Sequence, residues 1–386
     1  MKTLCVEGWR GINHSIAMVN QHQLLALMDA PDIQLYHRDC PYFMKHWSRQ
    51  TMSAGFAAEA QARIDALAEP PAGTREDVRM RLTSPFSSRI EPGVRTLTFM
   101  VTEVGLVPEC FDAPPQDVAA YTRDGNRVFT PSTWSRDRLV DYGIDPAGIA
   151  IVPHGMKAEA LVEPSAIERE LLRRAMGIAA DETVFLNVGV ATWNKGLDLL
   201  VRAWARLRQR QPRVRLLLKD HKSLYKVGVE HVLAQVSRAH PGLLGDGALA
   251  GVSVISDSLD QAQMRALYAL CDAYVSPYRA EGFNLPVLEA MACGAPVIVT
   301  EGGATEDFCP VTLAQRVASR PGRPEDAPQV DGCWREPDEE ALLEAMAAVA
   351  DGRVRRDDPA RDAARARLRA DHAWPAVVRR ALLPLI

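Results

Sequence analysis

The stretch Ser276-Pro-Tyr-Arg-Ala-Glu-Gly-Phe-Asn-Leu-Pro-Val-Leu-Glu-Ala-Met-Ala-Cys-Gly-Ala-Pro-Val-Ile-Val-Thr300 limits what this chain can fold into. Residues 269–275 before it are apolar enough for a buried strand. Inside it, Pro286 suits a first helical position, Gly294 a helix C-terminal cap, and residues 297–299 a second strand. The unit is strand, loop, helix, strand. In an open parallel sheet, ligands collect at the carboxyl ends of strands, where the next helix presents unpaired N–H groups. The loop Ala280-Glu-Gly-Phe-Asn284 falls there. Gly282 lets backbone come close to a ligand, Glu281 can accept hydroxyl protons, and Glu289 lies about one turn inside the helix. Two carboxylates facing a polyol beside a phosphate-binding helix end suit a nucleotide sugar; solvated glutamates on an ordinary crossover unit are the plainer alternative.

The same plan recurs along the chain. Residues 3–7 read as a strand, Gly8 to Ser15 as a loop, and the following residues to Met28 as a helix with a partly helical apolar period. Residues 33–36, 78–82, 96–101, 127–130 and 149–152 read as further strands, with helices at 54–67 and 132–142. Residues 156–182 read as a passage between domains. Strands at 184–189, 214–219 and 252–256 then alternate with helices at 197–210 and 261–271. Residues 320–336 read as a surface loop, 339–349 as a helix, 353–369 as a solvated face of alternating arginine and aspartate, and 374–383 as an amphipathic end. Such alternation indicates doubly wound α/β domains. At the strand ends, Gly8 and Gly11 are candidates for close approach to an anion, and Asn13, His14 and Ser15 can reach a ligand, the plainer alternatives being Asn13 or Ser15 as helix cap and His14 as a structural histidine. Lys195 ends the loop after strand 184–189, where an ammonium can neutralise a diphosphate, and Lys219 sits at the carboxyl end of its own strand.

Glu281 and Glu289, with seven residues between them in EGFNLPVLEAMACGAPVIVT, resemble the E-x7-E signature of retaining glycosyltransferases of the GT-B fold, most closely glycosyltransferase family 4. The flanking SPYRAEGF and EAMACGAPVI carry the match further. The resemblance covers nearly the whole chain and is sharp from about Val184 onward. It implies an α/β chain of two doubly wound Rossmann-like domains facing across a cleft. Residues 1–160 would bind the acceptor, 161–365 the nucleotide sugar, and a C-terminal helix, 366–386, would pack back on the first domain. The implied reaction moves a sugar from a nucleotide-sugar donor to a hydroxyl of a glycan, a lipid-linked glycan or a small molecule, with retention of configuration.

The resemblance also implies roles. Glu289 falls on the ribose hydroxyls, Glu281 with the backbone of Gly282, Phe283, Asn284 and Leu285 on the sugar and phosphates, and Lys195 on the diphosphate. Gly11 lies in the loop that faces the diphosphate, and Ser256 at a strand end beside the base. Two family features differ. Val190 stands where an arginine follows the glycine matching Gly189; Lys219 at its strand end is the candidate compensating cation, a surface lysine the alternative. In Val101-Thr-Glu-Val-Gly105, Glu103 is the candidate replacement for a histidine that lines the sugar pocket, binding an acceptor or sugar hydroxyl, with a solvated strand-end glutamate as the alternative. No metal and no cofactor beyond the donor is implied, because helix N-termini and cations stabilise the departing diphosphate. A catalytically inert nucleotide- or glycan-binding partner protein and a nucleotide-sugar epimerase are the other readings on the same fold.

Bulk properties narrow the setting. With 386 residues the chain is about two domains long, and its net charge of −4 without a long basic tract argues against nucleic acid as a partner. Seven scattered cysteines, odd in number and without C-x-x-C pairs, argue for a reducing compartment, by default the cytoplasm, and against a zinc site. The N-terminus enters a strand directly instead of reading as a signal peptide, and no run of 18 apolar residues suggests a membrane span. Attachment to a membrane surface stays open.

Overall fold

The apolar runs assemble into two parallel sheets, one in each of two units of the chain. The computed structural model describes every residue except Thr51, and every side chain except those of Thr51, Ser223 and Asp246. The first unit comprises Met1–Gly155 with Asp371–Ile386, and the second Met156–Ala370. The boundaries read from sequence lie five residues away, at 160/161 and 365/366.

In the first unit the strands are β1 (Lys2–Gly8), β2 (Ile33–Asp39), β3 (Val78–Leu82), β4 (Arg95–Phe99), β5 (Arg127–Thr130) and β6 (Ile149–Ile151). They pair in the order β2-β1-β3-β4-β5-β6, all parallel, so the winding direction reverses between β1 and β3. The chain's last segment belongs here. Trp374 stacks on His22 with ring centroids 5.3 Å apart, Lys2 Nζ donates to Ile386 O at 2.8 Å, and Arg95 Nη2 donates to Leu385 O at 2.6 Å.

In the second unit the strands are β7 (Thr183–Val188), β8 (Val214–Lys219), β9 (Val252–Ile255), β10 (Ala273–Ser276), β11 (Val297–Thr300) and β12 (Ala314–Val317). Their order is β12-β11-β10-β7-β8-β9, again all parallel, and the reversal falls between β7 and β10. That is the strand order of dinucleotide-binding folds, whose ligands sit at the reversal. Every residue of β10 and β11 is buried, which explains why both read as unbroken apolar runs instead of alternating patterns. Helix Leu197–Arg210 packs its Leu200, Ala203, Trp204 and Leu207 face into this core.

Several expectations need correction. The strand expected at 269–275 starts later, because helix Gln261–Leu270 absorbs Ala269 and Leu270. Asp260 and Gln263 form a reciprocal capping box that starts this helix, and a short apolar run fits a buried helix end as well as a strand. His14, not Asn13 or Ser15, caps helix Ser15–Met28, its Nδ1 accepting from the Ile16 N–H at 3.2 Å. Residues 320–336 are not simply a loop: Ser319–Pro321 pairs antiparallel with Arg335–Pro337, and Trp334 is buried. Nor is 353–369 wholly solvated. Arg356 and Arg365 are buried, Arg365 facing Glu163 at 3.0 Å and Arg356 donating to Tyr268 O at 2.7 Å, Cys271 O at 2.9 Å and Cys293 O. Alternating charge looks solvated in sequence, but an arginine can bury its stem and satisfy the unpaired carbonyls at helix ends.

Candidate functional site

The second unit's reversal places two loops side by side, one after β7 and one after β10. Their contact is specified by backbone. Gly196 adopts φ +66°, and a Cβ built there would lie 1.9 Å from the Pro277 carbonyl oxygen, so only glycine lets the loops meet. The Arg279 N–H donates to Asn194 O at 2.7 Å, and Asn194 Nδ2 returns to Ala280 O at 3.1 Å. Arg279, buried, then clamps the pair: its guanidinium donates to Trp193 O at 3.0 Å, to both Asp198 oxygens at 2.7 and 2.9 Å, and to Glu336 at 3.0 Å. Burial pushes the Asp198 carboxyl up, but Arg279 and Arg202 outweigh it and hold the group below its usual value.

This scaffold sets Lys195 Nζ 2.9 Å from Glu281 Oε1, both side chains only partly exposed. Beyond Glu281 the chain turns sharply. Gly282 is buried, Phe283 stacks on Phe308 with centroids 4.4 Å apart, and Asn284 adopts φ +80° while its Nδ2 donates to Ser276 Oγ at 3.0 Å. A non-glycine residue in the left-handed region costs roughly 1–3 kcal/mol and tends to cluster at functional sites. Asn284 is the N-cap of helix Leu285–Ala292, which carries Pro286 in its first turn and gives its Val287 N–H to the Asn284 carbonyl at 3.1 Å. Gly294, at φ +87°, follows the helix as expected.

One turn into the helix, Glu289 is partly buried and accepts from the Tyr268 hydroxyl at Oε2, 2.7 Å away. Burial raises its carboxyl to about 7, against the opposing pull of that hydrogen bond. The structure thus brings together Lys195, Glu281, the Gly282 to Leu285 turn and Glu289 around one loop and helix start.

The other candidates lie apart. Lys219 ends β8, paired with Val188 of β7, but is buried, its ammonium donating to the Asp220 carbonyl and its pKa lowered by burial. Ser256 is exposed at the end of the edge strand β9, two strands from β7. Gly11 and Glu103 belong to the first unit. Gly11 does take the left-handed conformation, φ +84°, but its N–H is already given to Gln21 Oε1 at 2.8 Å, which contradicts a free donor for an anion. Glu103 is partly buried in the turn after β4, where its carbonyl accepts from Trp134 Nε1 at 2.7 Å.

Sequence reasoning passed over Arg279, Asp198, Tyr268 and Arg356. Arg279 stood inside the quoted motif, and a charge between a buried strand and a glycine loop was a signal; Tyr268 was hidden in an apolar run. Among the described residues no group of three His, Cys, Asp or Glu side chains is placed to hold a metal ion, and no helix is long and apolar enough to cross a membrane.

Residues 168–309 match the family described as "Glycosyl transferases group 1". A D-inositol 3-phosphate glycosyltransferase from Kineococcus radiotolerans is 32% identical over 46% of this chain and 40% of that protein. A mannosylfructose-phosphate synthase from Agrobacterium fabrum is 28% identical over 43% of this chain and 35% of that protein. The chain therefore spans less than half the length of these curated relatives. Among solved structures, a glycosyltransferase from Rickettsia africae superposes with a TM-score of 0.69 at 13% identity, covering 100% of this chain and 98% of the other. Anabaena Alr3699/HepE in complex with UDP gives a TM-score of 0.69 at 14% identity, covering 100% and 99%. The second unit thus contains a segment matching glycosyl transferases group 1, and the chain has the fold of the GT-B glycosyltransferases.

Proposed function

We propose that this chain is a retaining glycosyltransferase of family 4 type that transfers a sugar from a nucleoside-diphosphate donor to an acceptor hydroxyl. The observation that carries the reading is the Lys195–Glu281 pair, 2.9 Å apart, at the sheet reversal and just before the helix that bears Glu289. The acceptor oxygen attacks the anomeric carbon on the face from which the diphosphate leaves. The new C–O bond forms as the sugar–phosphate bond breaks, and a diphosphate oxygen takes the acceptor proton. Lys195 and the helix N-terminus stabilise the charge that builds on the diphosphate, which leaves no step that needs a metal. Glu281 holds sugar hydroxyls and Glu289 the ribose. HepE has been solved with UDP and with UDP-glucose, and the curated relatives are named for phosphorylated polyols and sugars, so UDP-sugars and phosphorylated small acceptors lead the candidate panel. Seven free cysteines fit a reducing cytoplasm.

The test incubates the protein with UDP-, GDP- and ADP-sugars and candidate acceptors and measures nucleotide release together with the product's anomeric configuration. Inverted product overturns retention, epimerised donor favours an epimerase, and binding without turnover across the panel favours the inert partner, for which Val190 in the arginine's place is the supporting observation.

A further inference from the structure

We infer that Tyr268 is a positioning residue for nucleotide binding: its hydroxyl orients the Glu289 carboxylate to accept the ribose hydroxyls, and Arg356 fixes Tyr268. The inference rests on the donor site proposed above and extends it to residues outside the loops.

Glu289 has two carboxylate oxygens, and Tyr268 occupies Oε2 from behind at 2.7 Å. A carboxylate tethered at one oxygen presents the other in a fixed direction, which is what recognition of a vicinal diol needs. Tyr268 itself has no freedom to drift. It is fully buried, packs edge-on against Tyr274 with centroids 6.1 Å apart, and its carbonyl is gripped by Arg356 at 2.7 Å. The same guanidinium donates to Cys271 O at 2.9 Å and to Cys293 O, so one side chain ties the C-terminal end of helix Gln261–Leu270 to that of helix Leu285–Ala292. Tyr274 continues the strut toward the other loop, its hydroxyl donating to Val188 O at 3.1 Å, directly before Gly189. Two tyrosines six residues apart and an arginine more than 80 residues further along therefore set the angle between the ribose carboxylate and the loop that carries Lys195.

The arrangement has a pH signature that a purely structural role lacks. Burial raises Glu289 to about 7, and the Tyr268 hydrogen bond, which favours the charged form, holds it from rising further. The other titratable groups facing this region are shifted away from neutrality or held in ion pairs. Burial pushes Tyr268 and Tyr274 well above the usual phenol value and raises Cys293 to about 12, burial lowers the Arg356 guanidinium while its N–H groups are held by three carbonyls, and Arg265 is engaged by Glu168 at 2.5 Å. In front, Lys195 and Glu281 are paired with each other. Removal of the Tyr268 hydroxyl thus leaves Glu289 protonated to a higher pH.

The experiment measures UDP binding by calorimetry from pH 5.5 to 9 for wild type, Tyr268→Phe, Arg356→Lys and Glu289→Gln, with GDP and ADP in parallel. Wild-type affinity is expected to rise through about pH 7. Tyr268→Phe shifts that midpoint up by about one unit, giving roughly fivefold weaker binding at pH 7 that recovers near pH 9, whereas Glu289→Gln is weak and its midpoint near pH 7 is lost. Arg356→Lys weakens binding about threefold. A Tyr268→Phe curve that overlies wild type overturns the inference alone; a wild type that binds none of the three nucleotides overturns the donor reading beneath it. Carbon-13 titration of the Glu289 carboxyl in the wild-type protein gives a readout that needs no variant to fold: a midpoint near the ordinary 4.5 also overturns the inference.

Discussion

Both sheets reverse their winding once, β1 beside β3 in the first unit and β7 beside β10 in the second, and the loops at these two places treat their polar groups differently. After β1 the loop consumes its own donors. Gly11 gives its N–H to Gln21 at 2.8 Å, Asn20 donates to Trp9 O at 2.9 Å, and Arg10 is taken by Asp39 at 2.8 Å and by Ile64 O at 2.7 Å. Trp9 and Ile12 fill the remaining space. After β7 and β10, backbone pairing between the loops leaves Lys195 and Glu281 adjacent and still partly exposed at the start of a helix. A reversal is therefore a place where backbone geometry admits a ligand, and the loop's own side chains decide whether it is already filled.

The largest expected effect tests what the second unit keeps open. Lys195→Ala is expected to lower kcat by roughly 10²–10³-fold with a much smaller change in donor KM, because the ammonium acts on charge that develops only as the diphosphate leaves. Steady-state kinetics checks it, and an unchanged kcat would move the catalytic cation elsewhere. Next comes the device that keeps the loops together. Gly196→Ala places a methyl against the Pro277 backbone oxygen at 1.9 Å and in a left-handed conformation, so a loss on the order of 3 kcal/mol is expected in denaturant unfolding. Gly11→Ala is the control from the first unit. It is also left-handed, but its nearest neighbour is the Arg49 side chain at 2.6 Å, which can swing aside, and about 1–2 kcal/mol is expected.

Titration separates the units further. In the first, burial lowers His14 from 6.5 to about 4 and His154 from 6.5 to about 3, and burial with Arg10 lowers His37. A histidine depressed in the folded state contributes stability that is present above 6.5 and lost as pH falls toward its folded value. In the second unit burial likewise lowers His221 from 6.5 to about 4, but Glu289 works the other way. Raised from 4.5 to about 7, it leaves the empty protein most stable below 4.5 and less so as pH rises to 7. Acidification from neutrality to pH 5 is expected to weaken the first unit by on the order of 1–3 kcal/mol per histidine, while the two shifts in the second largely cancel. Hydrogen exchange at pH 7 and pH 5 reads this directly: β1 to β6 lose protection first, and equal loss in both units would erase the contrast.

Much of this was legible from residues alone. Apolar runs bounded by glycine and proline placed most strands, and helix Leu197–Arg210 was read to the residue because its apolar period and its flanking glycine agree. The E-x7-E spacing put Glu281 and Glu289 on one loop and helix. What escaped depends on contacts between distant segments. Arg356 lies beside Arg355, which is exposed and pairs with Asp357 at 2.6 Å, and nothing in the local pattern tells the buried arginine from the solvated one. The Arg279 clamp needs Asp198 and Glu336, far away on other elements, and Gly11 looked open because the sequence does not show that Gln21 reaches back to it. Local chemistry was readable; the partner that consumes it was not.

The smallest expected effect is the finest test, because it compares the glycines at the two matching strand ends. Gly8 closes β1, and a Cβ there would meet the Leu82 carbonyl oxygen of β3 and Asn20 Nδ2, each at 2.9 Å. A backbone carbonyl in a sheet cannot step aside, so Gly8→Ala is expected to cost about 1–3 kcal/mol. Gly189 follows β7, and a Cβ there meets nothing within 4 Å. Gly189→Ala should leave stability within about 0.5 kcal/mol of wild type. The same methyl is nonetheless expected to weaken UDP binding, since the space it enters is the space a ligand needs to approach backbone. If neither stability nor binding responds, Gly189 admits no ligand, and the distinction between a filled and an open reversal loses its second half.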